Sequence, residues 1–318
     1  MYFLFLFEII AREGLSCGKN LRNMRNSKSE TVSDLVMSDD FVFIDLKLDW
    51  SFKYMFGSKG CEDNLLVLLD SILPEKHITS VELSTQEQMG DRKDSKKVVY
   101  DISCTSPQGD FVVEMQYAPK DDFGDRMIYY SGFPIRDQVR RSDSSYRFND
   151  VYMIGILNFE INRGKEAITH YSIRSEENPQ ELLSKHLHYV TVELPKLPKE
   201  LSENPERGEG MLYLLANQEN LKEIPESLKS RGLENIIEKS ILASMDNLTR
   251  EEYFAIYKKE KDRRCEMATA IRMGRDEGRQ EGRIEGRKED ARNLKALGVS
   301  AEIIEKATGF TREQVEAL

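Results

Sequence analysis

Two acidic residues on neighbouring apolar segments are the strongest chemical feature of this 318-residue sequence. Asp101 and Glu114 each lie among β-branched and aromatic residues, and the sequence Ser-Pro-Gln-Gly at 106–109 separates the two segments. This arrangement predicts a β-hairpin with residues 106–109 as its loop. Thr105 is then opposite Asp110, and counting back symmetrically places Asp101 opposite Glu114, with their Cβ atoms ~5 Å apart.

Two carboxylates at that distance repel each other unless a positive charge lies between them. A divalent cation with oxygen ligands meets this need, and it also activates water and neutralises charge that develops on a phosphodiester. The alternative is a solvated acidic face of the hairpin. Apolar neighbours such as Ile102 and Val113 favour two central strands, where buried charges need a partner. The residues alone leave both interpretations open.

Short motifs surround this acidic pair. In chain order they are Asp49-x-x-Phe52-Lys53-x-x-Phe56-Gly57, Tyr100-Asp101-Ile102, Val113-Glu114-Met115-Gln116 and Arg126-x-x-x-Tyr130. In order and spacing they resemble the Rpn-type recombination-promoting nucleases, also called PD-(D/E)XK nuclease family transposases. The resemblance covers residues 40–200, and the glycine-repeat tail is similar to that family's tail.

The resemblance implies an α/β fold, a restriction-endonuclease-like mixed sheet flanked by helices, and cleavage of DNA that depends on Mg²⁺ or Mn²⁺. Asp101 and Glu114 take the places of the two motif acids, as metal ligands and catalytic residues. Gln116, the third catalytic candidate, stands where the wider superfamily most often has lysine. Glutamine hydrogen-bonds a water or a phosphate oxygen but brings no charge, so the resemblance allows for weak activity.

Four further residues are candidates around the pair. Asp49 is either an outer acid of the metal site or a helix N-cap. Lys53 either reaches a phosphate or is a surface lysine. Arg126 and Tyr130 lie four residues apart on one face of a predicted helix, where they would touch the DNA backbone, although Tyr130 alternatively belongs to the core.

A basic patch follows that helix. Arg136, Arg140, Arg141 and Arg147 crowd one stretch of sequence and predict a phosphate-contacting edge, with a solvated charged face as the alternative. The His-Leu-His sequence at 186–188 has no third metal ligand at useful spacing and is interpreted as a surface feature.

The elements that must position these residues follow from hydrophobic periodicity. The spacing predicts helices at 49–73, in two parts, and at 121–141, and strands at 78–83, 98–104, 111–117, 151–159, 169–173 and 189–194. This order predicts a mixed α/β sheet with helices packed on it. After residue 205 the pattern is helical throughout.

Five segments are predicted along the chain. They are a disordered leader or mis-assigned start at 1–36, a nuclease-like domain at 37–205, a helical region at 206–259, a repeat helix at 260–290 and a small helical module at 291–318. A membrane-surface anchor is the rival interpretation of the leader.

Glycine recurs every fourth residue in the tail, between charged residues, at Gly274, Gly278, Gly282 and Gly286. This repeat indicates either a solvated helical linker or a self-associating helix. The terminal helices outline a helix-turn-helix, but acidic residues in the second helix argue against DNA binding. We expect them to serve association, which makes the chain a homo-oligomer through its C-terminal helices.

Charge and composition limit which binding partners and cellular locations fit the sequence. A net charge of −10 argues against nucleic-acid binding through total charge, although not against a local basic groove. The four cysteines form no CxxC pair, and no apolar run reaches the ~20 residues of a membrane helix, so we expect a cytoplasmic protein without a membrane partner.

A metal-dependent endonuclease of recombination or mobile DNA is the predicted function. A catalytically weak DNA-binding or assembly protein with the same fold is the alternative, and a nuclease acting on RNA is a more remote one.

Overall fold

The computed structural model describes residues 42–85, 87–88, 98–139, 143–229 and 231–318. These residues belong to two compact units, which divide between Ile256 and Tyr257. The predicted leader, residues 1–36, lies outside the described residues. The domain boundary at residue 205 stays a prediction, and the segments on both sides of it belong to the first unit.

The first unit contains the α/β part of the chain. Its helices are α1 Asp49–Phe52, α2 Glu62–Ile72, α3 Phe123–Gln138, α4 Arg207–Asn217 and α5 Glu234–Ser240. Its strands are β1 Glu82–Leu83, β2 Glu87–Gln88, β3 Val98–Val99, β4 Ile102–Ser106, β5 Gly109–Gln116, β6 Val151–Leu157, β7 Ile168–Tyr171 and β8 Leu187–Glu193. Helix α1 continues directly into a π-helical turn, Lys53–Gly57.

Six strands form one mixed sheet in the order β1-β4-β5-β6-β8-β7. Strands β5, β6 and β8 run parallel to one another, whereas β4 pairs with β5, and β7 with β8, in the antiparallel sense. Every residue of β6 is buried, as its unbroken apolar sequence predicts. The mixed sheet with flanking helices is therefore confirmed.

The hairpin of β4 and β5 has the predicted register, because Thr105 pairs with Asp110. The ladder continues to the pair Ile102 and Val113, and one step further brings Asp101 beside Glu114. The prediction of one continuous strand at 98–104 is wrong, since the chain bends at residues 100–101 between β3 and β4. The bend lets Asp101 use its side chain, in place of a strand ladder, to bind the neighbouring backbone.

Helix α3 packs on the sheet over a core of its own. This core contains Val98, Tyr100, Val112, Phe123, Met127, Phe133, Val151, Met153, Leu157, Phe159 and Leu187. Gly155 of β6 permits the close approach, because a Cβ at that position would lie 2.5 Å from the Cζ of Phe123. The start of α3 is thereby held against the middle of the sheet.

The second unit is helical. Its elements are most of α6, which runs from Asn247 to Ala296, followed by α7 Ala301–Thr308 and α8 Arg312–Ala317. Ala291, Ile304 and Val315 form its buried core. The predicted capping box is present, since the Thr311 side chain accepts from the Gln314 backbone and the Gln314 side chain accepts from the Thr311 backbone.

None of the helices within the described ranges is long and apolar enough to cross a membrane. Within the described ranges, Cys61 and Cys104 are buried free thiols.

Candidate active site

Asp101 and Glu114 form one hydrogen-bonded unit at the end of the β4–β5 hairpin. The backbone N–H of Asp101 donates to Glu114 Oε1 at 3.3 Å, and the backbone N–H of Met115 donates to Asp101 Oδ2 at 2.8 Å. Both acids are buried, with 9% and 5% of their surface exposed. The backbone of two adjacent strands therefore fixes one oxygen of each carboxylate.

Two cationic side chains approach the other carboxylate oxygens. Lys53 Nζ lies 3.1 Å from Asp101 Oδ1 and 2.7 Å from Asp49 Oδ1, so it bridges these two acids. Arg126 Nη2 lies 3.9 Å from Glu114 Oε2. Lys53 comes from the π-helical turn after α1 and Arg126 from the first turn of α3, so elements far apart in the sequence converge on the pair.

Burial is the main electrostatic influence on the pair. Loss of solvent raises the pKa of Asp101 to about 6, although Lys53 and the Met115 N–H oppose the rise. Burial, together with the negative charge of Asp101, raises the pKa of Glu114 to about 8. Burial would lower the pKa of Lys53, but its bonds to Asp49 and Asp101 outweigh that effect and raise it. Two buried acids with raised pKa values are typical of a functional site, and a bound cation would favour their ionised forms.

Gln116 is buried two residues after Glu114 on the same strand. Because side chains alternate along a strand, Gln116 and Glu114 share one face of the sheet. That face is the one covered by α3, since Glu114 pairs with Gly155 and the missing Cβ of Gly155 would meet Phe123. The close packing at Gly155 is what brings Arg126 to Glu114.

The remaining candidates for DNA contact lie on or after α3. Tyr130 is half-buried, and the guanidinium of Arg126 lies 5.7 Å from the centre of its ring. Arg136 donates two hydrogen bonds to Asp137, at 3.1 and 2.9 Å. Arg140 lies outside the described residues. Tyr130 packs against the core under α3 and lies beside Arg126, and contact of either residue with DNA stays a prediction.

The donor set fits a hard divalent cation. Carboxylate oxygens are the ligands that Mg²⁺ and Mn²⁺ prefer, and Mg²⁺ is commonly held by one or two of them, with water and phosphate completing the shell. Nowhere in the described part of the chain are three or more His, Cys, Asp or Glu side chains arranged to hold a metal ion. Lys53 lies between Asp49 and the pair of Asp101 and Glu114.

The two histidines at 186–188 lie at the opposite end of the parallel strands. His186 Nδ1 is 2.7 Å from Asp150 Oδ1, and His188 Nε2 is 3.5 Å from Asp150 Oδ2. The sequence analysis missed Asp150 as their shared partner, because β6 and β8 become neighbours only in the folded sheet.

Sequence reasoning also missed the contact between Lys53 and Asp101 and the role of Gly155. The first had no direct signal, because the four-residue spacing of Asp49 and Lys53 on a predicted helix indicates only that these two side chains pair. The second had none, because the packing of α3 on β6 depends on long-range contact.

Comparison with known proteins found a match to one protein family. The model of a family described as PD-(D/E)XK nuclease family transposase matches residues 46–270. No curated protein and no solved structure matches the chain.

Proposed function

This chain belongs to the PD-(D/E)XK nuclease family transposases, and we propose that it is a metal-dependent DNA endonuclease that acts in recombination or on mobile DNA. Family membership supports a nuclease with a role in mobile DNA. The observation that carries the finer proposal is the buried, hydrogen-bonded pair of carboxylates, Asp101 and Glu114, with Lys53 and Arg126 beside it.

Each residue of the site has a distinct task in this proposal. Asp101 and Glu114 hold a divalent ion, Mg²⁺ or Mn²⁺, which supplies a Lewis acid for water and phosphate when bound. Gln116 accepts a hydrogen bond from the attacking water or donates one to a phosphate oxygen. Lys53 and Arg126 attract the phosphodiester by charge. The strands that fix Asp101 and Glu114 hold the site rigid before substrate arrives.

Cleavage of supercoiled plasmid tests the proposal. The parent protein should nick or linearise plasmid with Mg²⁺ or Mn²⁺ and should be inactive with chelator. Asp101→Asn and Glu114→Gln should each reduce cleavage by at least ~100-fold, because they remove a ligand charge but retain an acceptor oxygen. These variants are preferable to alanine, since Asp101→Ala would leave the buried Met115 N–H without its partner, at a cost of ~1–3 kcal/mol.

The matched control is Glu176→Gln, which makes the same chemical change at an exposed position. It should cut at the parent rate, and circular dichroism should show that all variants are folded. Full activity of Asp101→Asn, or cleavage by the parent in chelator, would overturn the proposal.

Association through the tail is the second part of the proposal, and it also serves the alternative function of an assembly protein. The glycines at 274, 278, 282 and 286 leave one stripe of α6 without side chains, and a Cβ at any of them would meet no described atom within 4 Å. A stripe left open in one chain is available to a second copy. The free thiols of Cys61 and Cys104 support a cytoplasmic location.

A further inference from the structure

The four oxygens of the acid pair have two kinds of neighbour. Asp101 Oδ2 and Glu114 Oε1 accept backbone N–H groups, which the hairpin holds in place. Asp101 Oδ1 and Glu114 Oε2 instead face the side chains of Lys53 and Arg126. A cation that joins both acids can take over the second kind of oxygen without disturbing the backbone, because long side chains move more easily than strands.

Lys53 is the more readily displaced of the two cations. Its ammonium group is already shared between Asp101 and Asp49, and the side chain of Asp49 is 68% exposed. A small shift toward solvent would keep the bond to Asp49 and free Asp101. Arg126, in contrast, is held by packing over the Tyr130 ring. Its Nη2 is buried and has no hydrogen-bond partner among the described residues, so it has no second acid to which it could shift.

We propose that Lys53 is a built-in counter-ion of the acid pair, which bridges Asp49 and Asp101 when the site is free of metal and gives up Asp101 Oδ1 when a divalent cation arrives. The inference rests on the proposed metal-dependent function. Asp49 then acts as the residue that retains Lys53 and does not ligate the metal. The released ammonium group stays at the edge of the site, where it supplies the positive charge that Gln116 lacks.

The buried negative charges of Asp101 and Glu114 explain why the metal-free protein needs a positive side chain such as Lys53. Asp101 and Glu114 are buried side by side, and unpaired charges in such surroundings are costly. Lys53 offsets that cost in the metal-free protein, but in doing so it competes with the metal. The proposal therefore predicts that removal of Lys53 strengthens metal binding while it weakens cleavage.

Calorimetric titration of the full chain with Mn²⁺ tests this prediction without reference to activity. Lys53→Met should bind Mn²⁺ about 10-fold or more tightly than the parent, because a contacting positive charge is gone. Lys53→Arg, which retains the charge, should bind like the parent. Lys59→Met removes an exposed charge six residues away and should change the affinity less than about twofold.

A double-mutant cycle separates the two roles of Asp49. If Asp49 acts only through Lys53, Asp49→Asn should weaken Mn²⁺ binding in the parent but have little effect in the Lys53→Met background. An equal loss in both backgrounds would show that Asp49 ligates the metal, and it would overturn this part of the proposal. Lys53→Gln, which retains a polar head group, replaces Lys53→Met if that variant does not fold.

The outcomes distinguish this inference from the function on which it rests. A parent protein that binds no Mn²⁺ would contradict the metal-dependent function itself. A parent that binds Mn²⁺ with the same affinity as Lys53→Met would leave that function standing and overturn the counter-ion.

Discussion

Gln116 sets the chemical character of the site at the scale of single residues. It is buried two residues after Glu114 and carries no charge, and the positive charges that contact the acid pair come from Lys53 and Arg126 on other elements. In the proposed mechanism, a neutral hydrogen-bonding group on the strand therefore acts together with cations from the π-helical turn and from α3. This division of tasks differs from a site in which one lysine on the strand does both.

Substitution of Gln116 tests this division. Gln116→Ala should lower the cleavage rate about 10-fold, because it removes one hydrogen bond to water or phosphate. Gln116→Lys should cut as fast as the parent or faster, and it should restore part of the activity lost in Lys53→Met. Plasmid cleavage under single-turnover conditions measures these rates. If Gln116→Ala cuts as fast as the parent, the residue has no part in the chemistry.

Glu114 should make the stability of the metal-free protein depend on pH. Its pKa is raised by burial from 4.5 to about 8, so the folded chain binds this proton more tightly than the unfolded chain. In the window between those values the unfolded state carries fewer protons, and stability therefore falls as pH rises through it. Above the window, the full cost of the buried charge is present.

Glu114→Gln should remove that dependence. In chelator, the difference in Tm between the variant and the parent should grow in favour of the variant by on the order of 10 °C from about pH 4 to about pH 9. Saturating Mn²⁺ should stabilise the parent and reduce the difference. Glu176→Gln, at an exposed position, should show no such trend. A constant difference across the pH range would contradict the raised pKa.

At the scale of elements, the approach of α3 to β6 positions Arg126. Gly155 is the contact point, and a Cβ there would lie 2.5 Å from Phe123 Cζ and 3.5 Å from Met127 Sδ. Gly155→Ala should destabilise the protein by about 1–3 kcal/mol, because the start of α3 must move away from the sheet. Urea denaturation measures this change, and cleavage should fall with it because Arg126 moves away from Glu114.

Gly132 is the matched control on the same helix. A Cβ at this position meets no described atom within 4 Å, so Gly132→Ala should stabilise the protein by up to ~1 kcal/mol through helix propensity. Equal stability of Gly155→Ala and the parent would show that α3 is not held by close packing at this point.

The hairpin shows how far local sequence determines the site. Turn chemistry and alternation were enough to predict that Thr105 is opposite Asp110 and that Asp101 lies beside Glu114, because these relations need only a two-stranded unit. The bend at residues 100–101 could not be predicted, since it depends on the Asp101 carboxylate binding the Met115 N–H. Side-chain competition with the strand ladder has no signature in apolar periodicity.

Contacts between distant elements limited the rest of the prediction. The apolar pattern of residues 151–159 identified a central strand, but its packing against α3 through Gly155 requires the folded core. In the same way, Lys53 was recognised as a candidate by its motif, while its bond to Asp101 appears only when the π-helical turn meets the hairpin. Sequence therefore predicted that Asp101 and Glu114 lie together, but not the contacts that other elements make with them.

At the scale of the whole molecule, the helical second unit has a core of its own. Ala291, Ile304 and Val315 are buried together, and Leu294 and Phe310 pack against them. Lys295 donates to the carbonyls of the last turn of α8, at 3.2 and 2.9 Å. These contacts hold the module together within one chain, but Leu297 and Ile303 stay exposed on it. The proposed association therefore has two candidate surfaces, the glycine stripe of α6 and the terminal module.

Substitution within the stripe separates helix stability from association. Gly278→Gln with Gly282→Gln should stabilise α6 within one chain, because glutamine is a better helix former by roughly 0.5–1 kcal/mol per position and meets no described neighbour. The same side chains should block close packing of a second copy, so light scattering should show a shift toward the monomer mass.

Deletion of residues 260–318 should give the same shift while the Mn²⁺ affinity of the first unit is retained. If the doubly substituted protein keeps the parent mass and the deletion lowers it, the terminal module, and not the stripe, makes the contact; if neither change lowers the mass, the chain does not associate through its tail.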